Sequence, residues 1–232
     1  MNAGPAGSPG RAEAQPAAPG NRRGRLVSRP PSVRKLFAGA ERWKLRSLRG
    51  CLHGDGPPCP PPGGPAGPGD GTGSLTNGPG VVAAAAVRPG ELVLDIGAGT
   101  GALTGHLVRT GARVVAVELH PGRAALLCQR FPQITVVQAD ARSLRLPGRP
   151  FRVVASPPYA ITADLLDRLL TAGTRLVAAD LVLQRAVVRR YADQRGPRAA
   201  RGHRMKTGLV VPRQAFRPPP RVDSAVLVVR RR

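Results

Sequence analysis

The chain has 232 residues, with 36 Lys and Arg against 13 Asp and Glu, a net charge of +23. That length suffices for one core of ordinary size with a tail, and that charge calls for an acidic partner. No apolar run approaches a membrane span and no N-terminal stretch reads as a signal peptide, so no membrane partner is expected.

The three cysteines, Cys51, Cys59 and Cys128, do not read as a disulfide framework, and a reducing cytoplasm is the expected compartment. Cys51, His53 and Cys59 lack a fourth ligand at a usual spacing, so no metal site is expected. The charge excess lies on the flanks. Residues 1–80 carry +7, residues 81–184 carry +4 and residues 185–232 carry +12. A solvated basic surface is one reading, and a nucleic-acid footprint is the other and the stronger. Only Lys35, Lys44 and Lys206 are lysines. The arginine bias suits bidentate phosphate contact, and it equally suits a GC-rich genome.

Residues 1–75 read as a Gly/Pro/Arg-rich extension, disordered or non-native. Gly and Pro make up 31 of the first 80 residues, and such a segment buries too little apolar surface to offset its ordering entropy. One stretch inside it, Val33 to Leu52, could form a basic amphipathic helix through Leu36, Phe37, Trp43, Leu45 and Leu48. Residues 76–232 read as the catalytic domain. Val81–Ala86 is helix-compatible and stops at the Arg88-Pro89-Gly90 turn. Strands are expected at Glu91–Asp95, Arg113–Glu118, Ile134–Gln138, Phe151–Ala155 and Arg175–Leu183. Helices are expected at Ala102–Thr110, Pro121–Phe131, Thr162–Leu170 and about Gln184–Tyr191. The strands are continuous Val/Leu/Ile/Ala runs, as in parallel strands covered on both faces. The alternation predicts a doubly wound, Rossmann-like α/β sheet. Leu209–Pro212 and Val222–Arg230 have no helix between them and should close it as an antiparallel hairpin.

Two segments carry the chemistry. In Asp95-Ile96-Gly97-Ala98-Gly99-Thr100-Gly101 a strand runs into a glycine turn where backbone can approach a ligand. The spacing disfavours a nicotinamide cofactor and suits an adenosyl one. Glu118 ends the second strand and can accept both ribose hydroxyls, and Asp140 follows the third and can face an adenine amino group. Asp95, Gly97, Gly99, Gly101, Glu118, Leu119, Asp140, Ala141 and Ser156 are the candidate cofactor contacts. The second segment is Ser156-Pro157-Pro158-Tyr159, at the end of the fourth strand. An exocyclic amine is a poor nucleophile because its lone pair is delocalised into the ring. The side-chain oxygen of Ser156 and the carbonyl of Pro157 can accept its N–H groups, and Tyr159 can stack on the base. His106, His120 and His203 are given no catalytic role.

These residues, with Val117-Glu118-Leu119, Ala139-Asp140 and the run from Val211 to Leu227, give the chain a resemblance to the Erm-type rRNA adenine N6-methyltransferases. That family is a set of class I S-adenosylmethionine-dependent enzymes. The resemblance spans about Val81 to Arg232. It implies S-adenosyl-L-methionine as donor, an adenine of the 23S rRNA peptidyl-transferase loop as target, and macrolide-lincosamide-streptogramin B resistance as outcome. It implies cofactor roles for Gly97, Glu118, Asp140 and Ser156, a second aromatic near the target base in Phe216, and a monomer. Three departures accompany it. Ser156 stands where the family usually has Asn. The chain stops at Arg232, as in short forms without the helical C-terminal domain, with the basic stretch from Arg185 to Arg221 compensating. The family's N-terminal cofactor motif is not recognisable, and Leu75-Thr76-Asn77 is its nearest remnant. The alternatives are the 16S dimethyladenosine transferases, methyl transfer to another planar or protein side-chain nitrogen, and a catalytically impaired RNA-binding remnant.

Overall fold

The structure, a computed structural model, describes residues 1, 46–47, 74–193 and 202–232. The cysteines at 51 and 59 and most of the expected N-terminal helix lie outside them. Strands β1 (Arg46–Ser47) and β2 (Ser74–Leu75) precede helix α1 (Gly78–Ala85). There follow β3 (Leu92–Ile96), α2 (Thr104–Arg109), β4 (Arg113–Glu118), α3 (Pro121–Arg130) and β5 (Thr135–Gln138). Then come β6 (Phe151–Ala155), α4 (Thr162–Leu170), β7 (Leu176–Gln184) and α5 (Arg185–Asp193). The chain closes with β8 (His203–Val211), β9 (Phe216–Arg217) and β10 (Ser224–Arg231).

Eight strands form one sheet in the order β1-β5-β4-β3-β6-β7-β10-β8. β3 to β7 are parallel to one another where they pair. β10 runs antiparallel to both β7 and β8, with Ser224 opposite Gln184 and Val211. The expected closing hairpin is therefore present, although β8 starts at His203 rather than Leu209. The residues of β3 are all buried because their side chains alternate between two cores. Leu92, Leu94 and Ile96 pack with Leu165, Leu166, Leu169 and Leu170 of α4. Val93 packs in the opposite cluster with Val81 and Val82 of α1, Leu107 of α2 and Leu127 of α3. This is a three-layer, Rossmann-like α/β arrangement, as the sequence predicts.

Two expectations at the N-terminal side are corrected. Arg46–Ser47, expected within a helix, are extended and pair antiparallel with Val137 and Gln138. Leu75, placed in the extension by composition, is 5% exposed in the second core, opposite Phe216 in the β2–β9 pair. The Thr76 N–H reinforces that pair by donating to the Ala215 carbonyl at 2.7 Å. Connections from β3 run first toward β5 and then return to β6, so the order reverses beside β3. Ligands of open α/β sheets bind outside the carboxyl ends of the strands at such a switch point.

Candidate active site

A cleft of about 380 Å³ lies at those carboxyl ends. Its size is within the range of small-molecule sites. Asp95, Gly97 and Gly99 come from β3 and its turn, Glu118 and Leu119 from the end of β4, Asp140 and Ala141 from the loop after β5, and Ser156 and Pro158 from the loop after β6. The two motifs thus share one wall. Gly97 has a φ of +74°, and a Cβ on it would lie 3.0 Å from Cδ of Pro158. Only a residue without a side chain lets the turn and the Ser156–Tyr159 loop approach so closely.

Glu118 is 5% exposed. Its Oε2 accepts the Gly99 N–H at 2.8 Å and its Oε1 accepts the His120 N–H at 2.9 Å. These bonds fix the carboxylate plane, and each oxygen keeps a further lone pair for a hydroxyl. Asp95 is 1% exposed, and its Oδ2 accepts the Thr104 hydroxyl at 2.6 Å. Burial pushes its carboxyl up to about 7, against the Thr104 hydrogen bond and with help from the charge of Glu118. Asp140 differs from expectation. Arg142 holds it through two guanidinium nitrogens and its backbone N–H, which keeps the carboxyl below its ordinary range. An adenine amino group would share it with Arg142.

Four candidates lie outside the cleft lining. Gly101 has a φ of +93°, and a Cβ there would stand 2.5 Å from the Phe131 ring, so its smallness serves the packing of α3. Pro157 is buried beneath the loop. Tyr159 is half-buried, and its hydroxyl shares a 2.9 Å hydrogen bond with that of buried Ser224. Phe216, expected near the target base, is 4% exposed in the core that includes Leu75 and Val211, so it presents no ring face to a base. Its run of hydrophobic neighbours across β2 could not be read from a segment dominated by Gly and Pro.

The ribosomal RNA adenine dimethylase family matches residues 78–232. The chain belongs to that family. A ribosomal RNA small subunit methyltransferase A of Leptothrix cholodnii is 34% identical over 154 residues, 60% of this chain and 57% of that protein. An rRNA methyltransferase of Streptomyces thermotolerans is 39% identical over 157 residues, 62% of this chain and 51% of that protein. The crystal structure of the 23S rRNA methyltransferase ErmE superposes with a TM-score of 0.62 at 32% identity, covering 67% of each chain. The chain spans 51–63% of the length of these and similar curated relatives.

S-adenosyl-L-methionine is the methyl donor of this family and fold class, and the cleft fits it. An adenosyl group needs a ribose acceptor, and Glu118 is held with lone pairs to spare at the end of β4. Sequence reasoning missed several residues of the lining. Arg123, Arg142, Arg217, Pro218 and Ile161 are all there, beside Leu75, which the sequence points to. Arg142 was discoverable, since it lies two residues beyond Asp140. Arg217 and Pro218 reach the cleft only because β9 pairs with β2. Among the described residues no group of three or more His, Cys, Asp or Glu could hold a metal, and no helix is long and apolar enough to cross a membrane.

Proposed function

We propose that this chain is an S-adenosyl-L-methionine-dependent methyltransferase acting on N6 of an adenine in ribosomal RNA, with the peptidyl-transferase loop of 23S rRNA as target. The observation that supports the reading most is the shared cleft: the glycine turn after β3 and the Ser156–Tyr159 loop, remote in sequence, meet at Gly97 and Pro158. The donor supplies an electrophilic methyl group on a cationic sulfur. Glu118, and Gly97 and Gly99 beside it, would hold the donor's nucleoside end.

The residues of the loop act on the acceptor. The Ser156 side-chain oxygen and the Pro157 carbonyl accept the two amine N–H groups, which localises the lone pair and orients it. Tyr159 offers a stacking face, a contact worth about 1–3 kcal/mol per base, and Ser224 fixes its ring through the hydroxyl. A base in a paired region is first extruded from its stack. As the C–N6 bond forms, the methyl–sulfur bond would break to leave a neutral thioether, and the surplus N6 proton would pass to solvent, so rate gain on this account comes from positioning and from hydrogen-bond acceptors rather than from a strong base. Phe216 is not assigned to the target. The chain acts as a monomer in the cytoplasm, and macrolide resistance is the cellular consequence.

The names of several curated relatives favour a second reading, an adenine of the small-subunit RNA. The test is transfer of labelled methyl groups to purified 23S rRNA, 16S rRNA and bulk protein, with the product digested to nucleosides. Methylated adenosine from 23S rRNA alone is expected. Label confined to 16S rRNA would replace the target, and label in protein would overturn the RNA reading.

A further inference from the structure

A second concavity, of about 400 Å³, opens beside the proposed acceptor loop, lined by Gln184, Arg185, Arg213, Arg221, Val222 and Asp223. Three chain segments meet there at Asp223. The backbone N–H of Arg185, at the start of α5, donates to the Asp223 carbonyl at 3.0 Å. The backbone N–H of Arg213, in the turn before β9, donates to Asp223 Oδ1 at 3.0 Å. Arg221 arrives on the loop that leads into β10. Asp223 therefore spends one carboxylate oxygen on backbone while three arginines line its concavity. All three arginines are exposed, and among the described residues none of their guanidinium groups takes part in an ion pair. The next residue, Ser224, holds the Tyr159 hydroxyl at 2.9 Å.

We propose that this concavity is a phosphate-binding site that seats the RNA backbone beside the target nucleotide. The proposal rests on the RNA reading given above. Arginine presents a planar fork of donors that matches a phosphodiester, and three of them outweigh the single carboxylate. Phosphate contacts carry no sequence information but fix register. Here the register is that of one strand relative to the Tyr159 ring, through the single step from Asp223 to Ser224. The cluster lines a concavity of its own, separate from the donor cleft with its Arg123, Arg142 and Arg217.

The test is equilibrium binding of a fluorescein-labelled stem-loop RNA carrying the peptidyl-transferase loop, measured by anisotropy across a salt series without methyl donor. The full chain is compared with a variant combining Arg185→Ala, Arg213→Ala and Arg221→Ala. The control removes equal charge from the opposite end of the sheet, through Arg88→Ala, Arg113→Ala and Arg175→Ala. Thermal melts check that all three proteins fold. The site triple should lower the salt slope of log K by about 2–3, near one unit per lost phosphate contact, and the control should leave it unchanged. Each single substitution should lower it by about 1, which keeps the test open if the triple fails to fold. Equal losses in site and control variants would overturn the site while leaving the RNA reading intact. Wild-type protein without salt-dependent RNA binding would overturn both.

Discussion

Asp95 is the residue whose chemistry departs most from its ordinary behaviour. Its carboxyl, normally near 3.8, stands at about 7 in the folded chain because burial disfavours the charge. Between those values the folded chain binds a proton that the unfolded chain releases. The resulting stability is fully present below about pH 4 and is lost as pH rises through 7, a loss on the order of 4 kcal/mol. Asp95→Asn keeps an acceptor for Thr104 and removes the titration. Melting curves of the donor-free protein should therefore fall less between pH 5 and pH 8 in the variant than in the wild type, and parallel curves would remove Asp95 from this role. Gly101 is a different case. A Cβ at φ +93°, 2.5 Å from the Phe131 ring, should cost about 3 kcal/mol from strain and overpacking combined. Gly101→Ala should thus lower the denaturation midpoint while the folded fraction binds S-adenosyl-L-methionine with unchanged affinity. A selective loss of donor affinity would restore it to the cofactor contacts.

At the scale of elements, β6, β7 and β10 are joined by an ionic network under the sheet. Asp180 on β7 is 2% exposed and pairs with Arg230 of β10 at 2.8 Å and with Arg152 of β6 at 3.8 Å. Arg152 also reaches Glu91 at 3.1 Å and the carbonyls of Ala85 and Ala86 at the end of α1. Asp180→Ala takes the carboxylate from Arg230, which is 36% exposed, and leaves Arg152 with Glu91 as its remaining acidic partner, and should destabilise the chain by about 1–3 kcal/mol, read by chemical denaturation. A change below about 1 kcal/mol would mean that the pair behaves as a surface bridge. The central strands were legible because both faces are buried, which leaves unbroken apolar runs such as Leu92–Leu94 and Val114–Val117. The first part of β8 was not, because an edge strand with exposed Arg204 and Lys206 carries no apolar periodicity. Nor was the β2–β9 pair, two residues on each side, whose partners are set by tertiary contact. The same limit governed the site. Residues at the ends of β3, β4, β5 and β6 could be placed by topology alone, whereas the fate of Phe216 and the arrival of Arg217 depended on a pairing invisible in the chain.

For the whole molecule, residues 185–232 carry a net charge of +12; among the described ones Arg185, Arg213 and Arg221 line the second concavity, and Arg217 lines the donor cleft. On the proposed reading, RNA grip falls to the concavity and donor binding to the cleft, joined through the Tyr159–Ser224 hydrogen bond. Salt should weaken RNA binding steeply and leave donor affinity nearly unchanged. The most direct test of the central claim is primer extension across the peptidyl-transferase loop of 23S rRNA from cells expressing this chain or its Tyr159→Ala variant. A monomethylated adenine lets the polymerase pass, so the same RNA is analysed by nucleoside mass spectrometry. Modification at one adenine, lost in Tyr159→Ala, is the predicted result. Unmodified 23S rRNA by both measurements, from cells that contain the folded protein, would contradict it.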